Sequence, residues 1–268
     1  PHIFFSTKQK EDFKMKKMKF IIITKKQIRL AIAGLLALTG VIAGSVSAFA
    51  GTDRKLPIYC VETDKKQIAI SFDAAWGNDD TQTLIDILAE YDVPATFFVV
   101  GSWVDKYPES VKAISDAGHQ IQNHSNTHPH MPQLSKEQMI NEIESCNSKI
   151  EAITGVCPTL HRPPYGDYDN MLVSTLEEMG MYTIQWSVDS LDWKDSSTAD
   201  SICDRVLKKV CPGSIVLFHN DADNTPAALP EILECLKNDG YEFVFISDLI
   251  LKENYTIDHT GKQCKINS

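Results

Sequence analysis

Between about residues 66 and 251 short apolar runs alternate with amphipathic stretches, and no other feature of the chain restricts its fold as much. Strand-like runs are expected at 67–72, 95–100, 119–123, 159–161, 182–188, 214–218 and 241–246. Helical spacing fills the intervals: Leu84, Ile87, Leu88 and Tyr91 share one face of 80–91. Ser135 with Gln138 three positions on reads as a capping box for a helix running to about residue 153. Gly118, Gly180 and Gly240 each follow a helical stretch, where a left-handed residue closes the last turn. Such alternation calls for a parallel sheet with its helices outside. Several of the seven strand candidates run into a polar cluster, which favours a (β/α) barrel over an open sheet. In such barrels the chemistry collects on the loops after the strand C-termini.

Five clusters occupy those positions: Ser71-Phe72-Asp73, His124-Ser-Asn-Thr-His128-Pro129, Arg162-Pro163-Pro164-Tyr165, Asp189-Ser190-Leu191-Asp192-Trp193 and Leu217-Phe218-His219. His124 and His128, four apart and closed by a proline, can turn both imidazoles to one ion, and Zn²⁺ or another divalent transition ion suits such donors. Asp73, at the end of an apolar strand, is placed for a general base or a third ligand. Prolines stiffen the turn carrying Arg162 and aim its guanidinium. Asp189 or Asp192 is expected to orient His219 and raise its pKa, leaving His219 as the general acid. The inventory suits metal-assisted hydrolysis of an amide or ester.

Charge divides the chain. Residues 1–50 carry nine Lys/Arg and two Asp/Glu, and residues 51–268 carry 17 and 34. A body of net −17 repels phosphates, so nucleic acid is excluded as a partner. The basic residues precede an apolar run from Leu30 to Ala50 that ends Ala48-Phe49-Ala50, the small-x-small pattern of a signal-peptidase site. Residues 1–50 are therefore expected to be an export signal or an uncleaved membrane anchor through 30–50, with the residues before about 15 no native part of it. Residues 51–65 are expected as a linker, 66–252 as the folded domain, and 253–268 as a polar tail on a monomeric, extracytoplasmic protein. All seven cysteines lie beyond residue 50, an odd number with no CxxC spacing, so no pairing follows.

The order and spacing of the five clusters resemble the polysaccharide deacetylases with a NodB-homology domain, carbohydrate esterase family 4. Ile58-Tyr59-Cys60-Val61 and Ser71-Phe72-Asp73-Ala74-Ala75-Trp76-Gly77 are most similar to the sporulation-associated PdaB-type branch. The resemblance implies a distorted (β/α) barrel that removes acetyl groups from amino sugars of cell-wall glycan, peptidoglycan or chitin-like. By position it implies that Asp73 activates water, Arg162 holds Asp73, and His124 and His128 bind a divalent metal, Zn or Co. It further implies that the Tyr165 backbone N–H faces the oxyanion, that Asp192 tunes His219, and that Trp193 and Leu217 line the acetyl-methyl pocket. One position departs from the pattern. The family's second aspartate, its third metal ligand, is Ala74 here, so a metal is expected to be weakly held or absent. The alternative to a deacetylase is a catalytically silent glycan-binding protein on the same fold. A third option, an esterase acting on O-acetyl groups, uses the same chemistry.

Overall fold

A computed structural model describes residues 54–266. The expected export segment, 1–50, lies outside the described residues. The strands are β1 (Cys60–Val61), β2 (Gln67–Ala74), β3 (Ala95–Val99), β4 (Gln120–Asn123), β5 (Leu160–His161), β6 (Tyr182–Thr183), β7 (Val188–Asp189), β8 (Ile215–His219), β9 (Glu242–Phe243), β10 (Tyr255–Ile257) and β11 (Lys262–Lys265). The helices are α1 (Thr81–Glu90), α2 (Gly101–Lys106), α3 (Pro108–Asp116), α4 (Lys136–Thr154), α5 (Asn170–Glu178), α6 (Ala199–Lys209), α7 (Thr225–Asn238) and α8 (Ile246–Leu249).

A curled parallel sheet in the order β6-β5-β4-β3-β2-β8-β7 forms the centre, with β9 paired to the start of β2. This is the expected distorted (β/α) barrel, and its sheet is not closed into a ring. Strand β2 explains its layering. Its even residues Ile68, Ile70, Phe72 and Ala74 enter the apolar layer under the helices, with Leu84, Leu88, Val216 and Phe218. Its odd residues Ala69, Ser71 and Asp73 face the other way, into the barrel, as strand alternation requires. Phe72 stacks between Phe97 and Phe218, at centroid distances of 4.8 and 5.7 Å, which locks the three central strands in register.

Local signals act as expected in several places. Ser135 accepts from the Gln138 backbone while the Gln138 side chain caps Ser135, and the helix ends at left-handed Gly155. Thr198 and Ser201 make a second capping box on α6.

Three expectations change. The strand expected over 182–188 is two short strands, because the backbone between them switches partners. Gln185 N donates to Ile58 O, and Ser187 N to Ile215 O. The linker expected at 51–65 is in its second half structural. Ile58 and Val61 are buried, Ile58 bridges to Ile184, and Cys60 bridges to Ser214. The polar tail expected at 253–268 contains an antiparallel hairpin, β10–β11, whose second strand pairs in parallel with β1. Gln263, fully buried, holds it down by accepting from Leu251 N and donating to Leu251 O, at 2.7 and 2.8 Å.

Candidate active site

Register alone brings the first two groups together. In the β2–β8 ladder Asp73 lies directly opposite His219, and in β2–β3 it lies opposite Phe98. Both side chains point to the barrel mouth. Arg162, fully buried just past β5, donates from Nη1 to Asp73 Oδ1 at 2.7 Å and from Nη2 to Ser71 Oγ at 2.9 Å. Its guanidinium rests 4.1 Å over the Phe98 ring. A buried arginine without a carboxylate would be costly, and Asp73 supplies the countercharge. Burial works against the Asp73 carboxylate, but Arg162 above all, then His124 and His219, hold its pKa below the usual range.

His219 is set by Asp192, which resolves the choice between Asp189 and Asp192. Nδ1–H of His219 donates to Asp192 Oδ1 at 2.8 Å, and Asp192 Oδ2 accepts from His219 N and from Thr225 Oγ1. Asp189 instead accepts from Leu191 N. Burial disfavours the imidazolium of His219. The Asp192 hydrogen bond and charge, with Asp73 and Asp189 behind, outweigh it and raise the pKa above 6.5. Asp73 and His219 are thus pushed apart, one towards carboxylate and the other towards imidazolium.

The two histidines of the second cluster meet, with ring centroids 4.9 Å apart. His124 donates from Nδ1 to Arg162 O at 2.7 Å, which leaves Nε2 unprotonated and 3.6 Å from Asp73 Oδ2. Burial lowers both imidazole pKa values, that of His128 to about 4, so both rings are neutral donors at ordinary pH. The donor set stops there. Among the described residues no group of three or more His, Cys, Asp or Glu side chains is arranged to hold a metal. Ala74 does not merely lack a ligand atom; its methyl lies in the apolar layer on the opposite side of β2 from Asp73. Asp79 and Asp80 do not replace it, since neither lines the cleft, and Asp80 Oδ1 accepts from Asp221 N at 2.9 Å. Two imidazoles fit a loosely held cation at most.

These groups line a cleft of about 780 Å³. Leu217 lies in its wall, while Trp193 and Tyr165 stand at its rim, 55% and 60% exposed. Tyr165 sits at φ 60°, and Ser125, His128, Leu191 and Asp221 also have positive φ. Left-handed non-glycine residues are uncommon and costly, and five of the seven among the described residues fall on the loops around this one cleft.

Several groups that fix the site were not apparent in the sequence. Asn123 Oδ1 accepts from Ser125 N and from His161 Nδ1, and its Nδ2 donates to Ile143 O and Asn147 Oδ1. Glu142, on α4, accepts from the backbones of Asn126 and Thr127 and from Thr127 Oγ1, which pins the histidine loop to that helix. Thr225 holds Asp192. Glu142 and Thr225 act from distant segments, and Asn123, beside His124, does so by tying its loop to His161 and to α4, none of which local spacing announces.

Comparison with known proteins places this geometry. The polysaccharide deacetylase family model matches residues 61–184. The peptidoglycan-N-acetylglucosamine deacetylase PgdA of Listeria monocytogenes is 38% identical over 73% of this chain and 41% of its own, so the chain spans under half of that protein. The peptidoglycan-N-acetylmuramic acid deacetylase PdaA of Bacillus subtilis is 33% identical over 73% of this chain and 75% of its own. Its solved structure superposes with a TM-score of 0.69 over 72% of this chain and 84% of that one. A CE4-family pseudoenzyme from Bacillus anthracis is 36% identical over 72% of this chain and 68% of its own, with a TM-score of 0.69, and a mutant of it is described as having restored enzymatic activity.

Proposed function

Because the chain belongs to the polysaccharide deacetylase family, we propose that it hydrolyses the N-acetyl group of amino sugars in cell-wall glycan, releasing acetate and a free amine. The observation that carries this reading is the Asp73–His219 pair, side by side in register with opposite protonation preferences. Asp73 takes a proton from water as its oxygen attacks the acetyl carbonyl. The tetrahedral intermediate places its oxyanion near the Tyr165 backbone. His219 then gives its proton to the nitrogen as the C–N bond breaks, and Asp192 stabilises the imidazolium until that moment. Arg162 keeps Asp73 ionised and fixed. Leu217 and Trp193 flank the space for the acetyl methyl. A divalent ion bound by His124 and His128 would polarise the carbonyl, but the residues present do not complete a site for it, so no step is assigned to it. The export signal read in residues 1–50 supports action outside the cytoplasm, and the likeness of the first motif to the sporulation branch supports a role in sporulation.

The second reading is a silent glycan-binding protein. Its support is the missing third donor at Ala74, together with the 36% identity to a pseudoenzyme. One assay separates the two: acetate release from N-acetylglucosamine oligomers and from peptidoglycan, with added Zn²⁺ or Co²⁺, with chelator, and with Asp73→Asn. The hydrolase reading expects release that Asp73→Asn cuts by about 10²–10⁴-fold, the usual worth of a general base. No acetate from folded protein with any substrate or metal would leave the binder.

A further inference from the structure

We propose that Cys60 and Cys211 are a disulfide-forming pair whose oxidation bonds β1 to the turn that leads into β8. The proposal goes beyond the hydrolase reading, because neither thiol lines the cleft. Three of the seven cysteines, Cys60, Cys211 and Cys264, come from distant segments to one side of the barrel. Cys60 lies opposite Ser214 in an antiparallel bridge, and Val61 N donates to Gly213 O at 3.0 Å. In that pattern Cys60 and Ser214 are a pair without hydrogen bonds between them, the kind whose side chains stand closest, with Cα atoms about 4.5 Å apart. Ser214 in turn fixes Cys211. Ser214 N donates to Cys211 O at 3.0 Å and closes the turn, while Ser214 Oγ accepts from Cys211 N at 3.1 Å and lies 3.5 Å from Cys211 Sγ. The Cys211 sulfur is thus held against the very side chain that faces Cys60.

The third thiol is the poorer partner. Cys60 pairs with Lys262 in the β1–β11 ladder, and strand alternation puts Cys264 on the same face, away from buried Val61 and Gln263. Two positions beyond Lys262, it is a diagonal neighbour about 7–8 Å from Cys60 between Cα atoms, past the span of a disulfide. Burial pushes the Cys60 thiol above its usual range and Lys262 works against this, while Cys211, Asp258 and Cys264 are near enough to add to it. Among the described residues no three Cys, His or carboxylate side chains converge on an ion, so these thiols are not a metal centre. Cys146 and Cys203 differ in kind: both are buried, and their S–H groups donate to Val99 O and Ala228 O. Cys60 and Cys211 are free thiols in the structure, and Cys211 is exposed. The bond forms by exchange with a small-molecule or protein disulfide. The Cys211 thiolate attacks one sulfur of that disulfide, whose S–S bond breaks and whose other half leaves as a thiol. The Cys60 thiolate then attacks the Cys211 sulfur and releases the second thiol. Two protein thiols are oxidised, one external disulfide is reduced, and both protons end on the departing thiols. The bond closes a loop from β1 to the start of β8, which restricts the unfolded chain. An exported protein meets the oxidising conditions that keep such a bond.

The test takes the full chain, folded and reduced, and equilibrates it with excess oxidised glutathione. Remaining thiols are alkylated, and the unreduced digest is mapped by mass spectrometry. The expected linked species joins the Cys60 peptide to the Cys211 peptide within one chain. Oxidation should raise the melting temperature by about 10 °C, and dithiothreitol should reverse the rise. Cys60→Ser and Cys211→Ser should each abolish that redox dependence, while Cys264→Ser should keep both the link and the rise. Cys60 and Cys211 both alkylated after oxidation, either of them bridged instead to Cys264, or a redox-dependent melting temperature that survives in Cys60→Ser would overturn the proposal. The mapping of the parent protein decides the matter even where a serine variant fails to fold. Acetate release at low temperature should be equal in the two redox forms. A protein that releases none sinks the hydrolase reading and leaves the disulfide result standing.

Discussion

At the scale of single residues, the cleft pushes two neighbouring side chains towards opposite protonation states. Arg162 holds the Asp73 carboxyl below the usual carboxylate range and Asp192 holds His219 above the usual imidazole range, so the window in which the first is charged and the second still holds its proton opens in both directions. The rate is expected to be lost on the acid side as Asp73 takes a proton, and on the alkaline side as His219 gives one up. Asp192→Asn removes the charge that lifts His219, so its alkaline limb should move to lower pH while the acid limb stays. A pH profile of kcat/KM for both proteins checks this, and an unmoved limb would show that Asp192 does not tune the acid. Asp73, Arg162, His124 and His219 were legible in the sequence because each follows directly on a strand-like run or ends one, at the barrel mouth, and His128 because it stands four residues after His124 and before a proline. The choice of Asp192 over Asp189 was not legible. Three positions apart in a loop, the two differ only in which way Leu191, at φ 58°, turns the chain between them.

At the scale of elements, capping and backbone freedom dominate. Ser135→Ala breaks the capping box of α4, the helix that presents Glu142 to the histidine loop, and should cost about 1 kcal/mol in chemical denaturation. Gly213 is a sharper case. At φ 82° it passes so close to β1 that an added Cβ would sit 1.7 Å from Val61 O. Gly213→Ala combines left-handed strain with that clash and should destabilise by roughly 2–4 kcal/mol, read as a lower denaturation midpoint. A midpoint within error of the parent would mean that the β1–Gly213 approach is looser than described. Helices α3, α4, α5 and α7 were legible from the capping box at Ser135 or from their closing glycines, whereas α2, Gly101–Lys106, was not expected. The strands β6 and β7 were not separable in the sequence, because Ile184 and Val188 continue an apolar pattern and the break comes from Ile58 and Ile215, far away in the chain. The hairpin β10–β11 has too little apolar alternation to signal a strand; what orders it is the buried amide of Gln263.

At the scale of the whole described unit, the barrel is closed by chain segments from its two ends. Ile58 bridges to Ile184, just past β6, while β1 is clasped by Gly213 on one side and β11 on the other. Removing residues 255–268 uncovers Val61 and cuts both Gln263 bonds, a loss of a few kcal/mol that should lower the melting temperature by about 10 °C for a unit of this size. Activity of the truncated protein at low temperature should persist, since none of the removed residues lines the cleft.

The pairing of β1 with β11 joins residues about two hundred positions apart, Cys60 opposite Lys262. A contact so distant in sequence cannot form while the chain is still being made. The parallel core from β2 to β8 can assemble as it emerges, but β1 stays without its β11 partner until residues 262–265 have left the ribosome. Synthesis therefore passes through a stage with a nearly complete barrel and an open seam beside Ile58. In that interval the unpaired edge of β1 is open to proteases and to pairing with another chain, and β11 acts as the clasp that ends it.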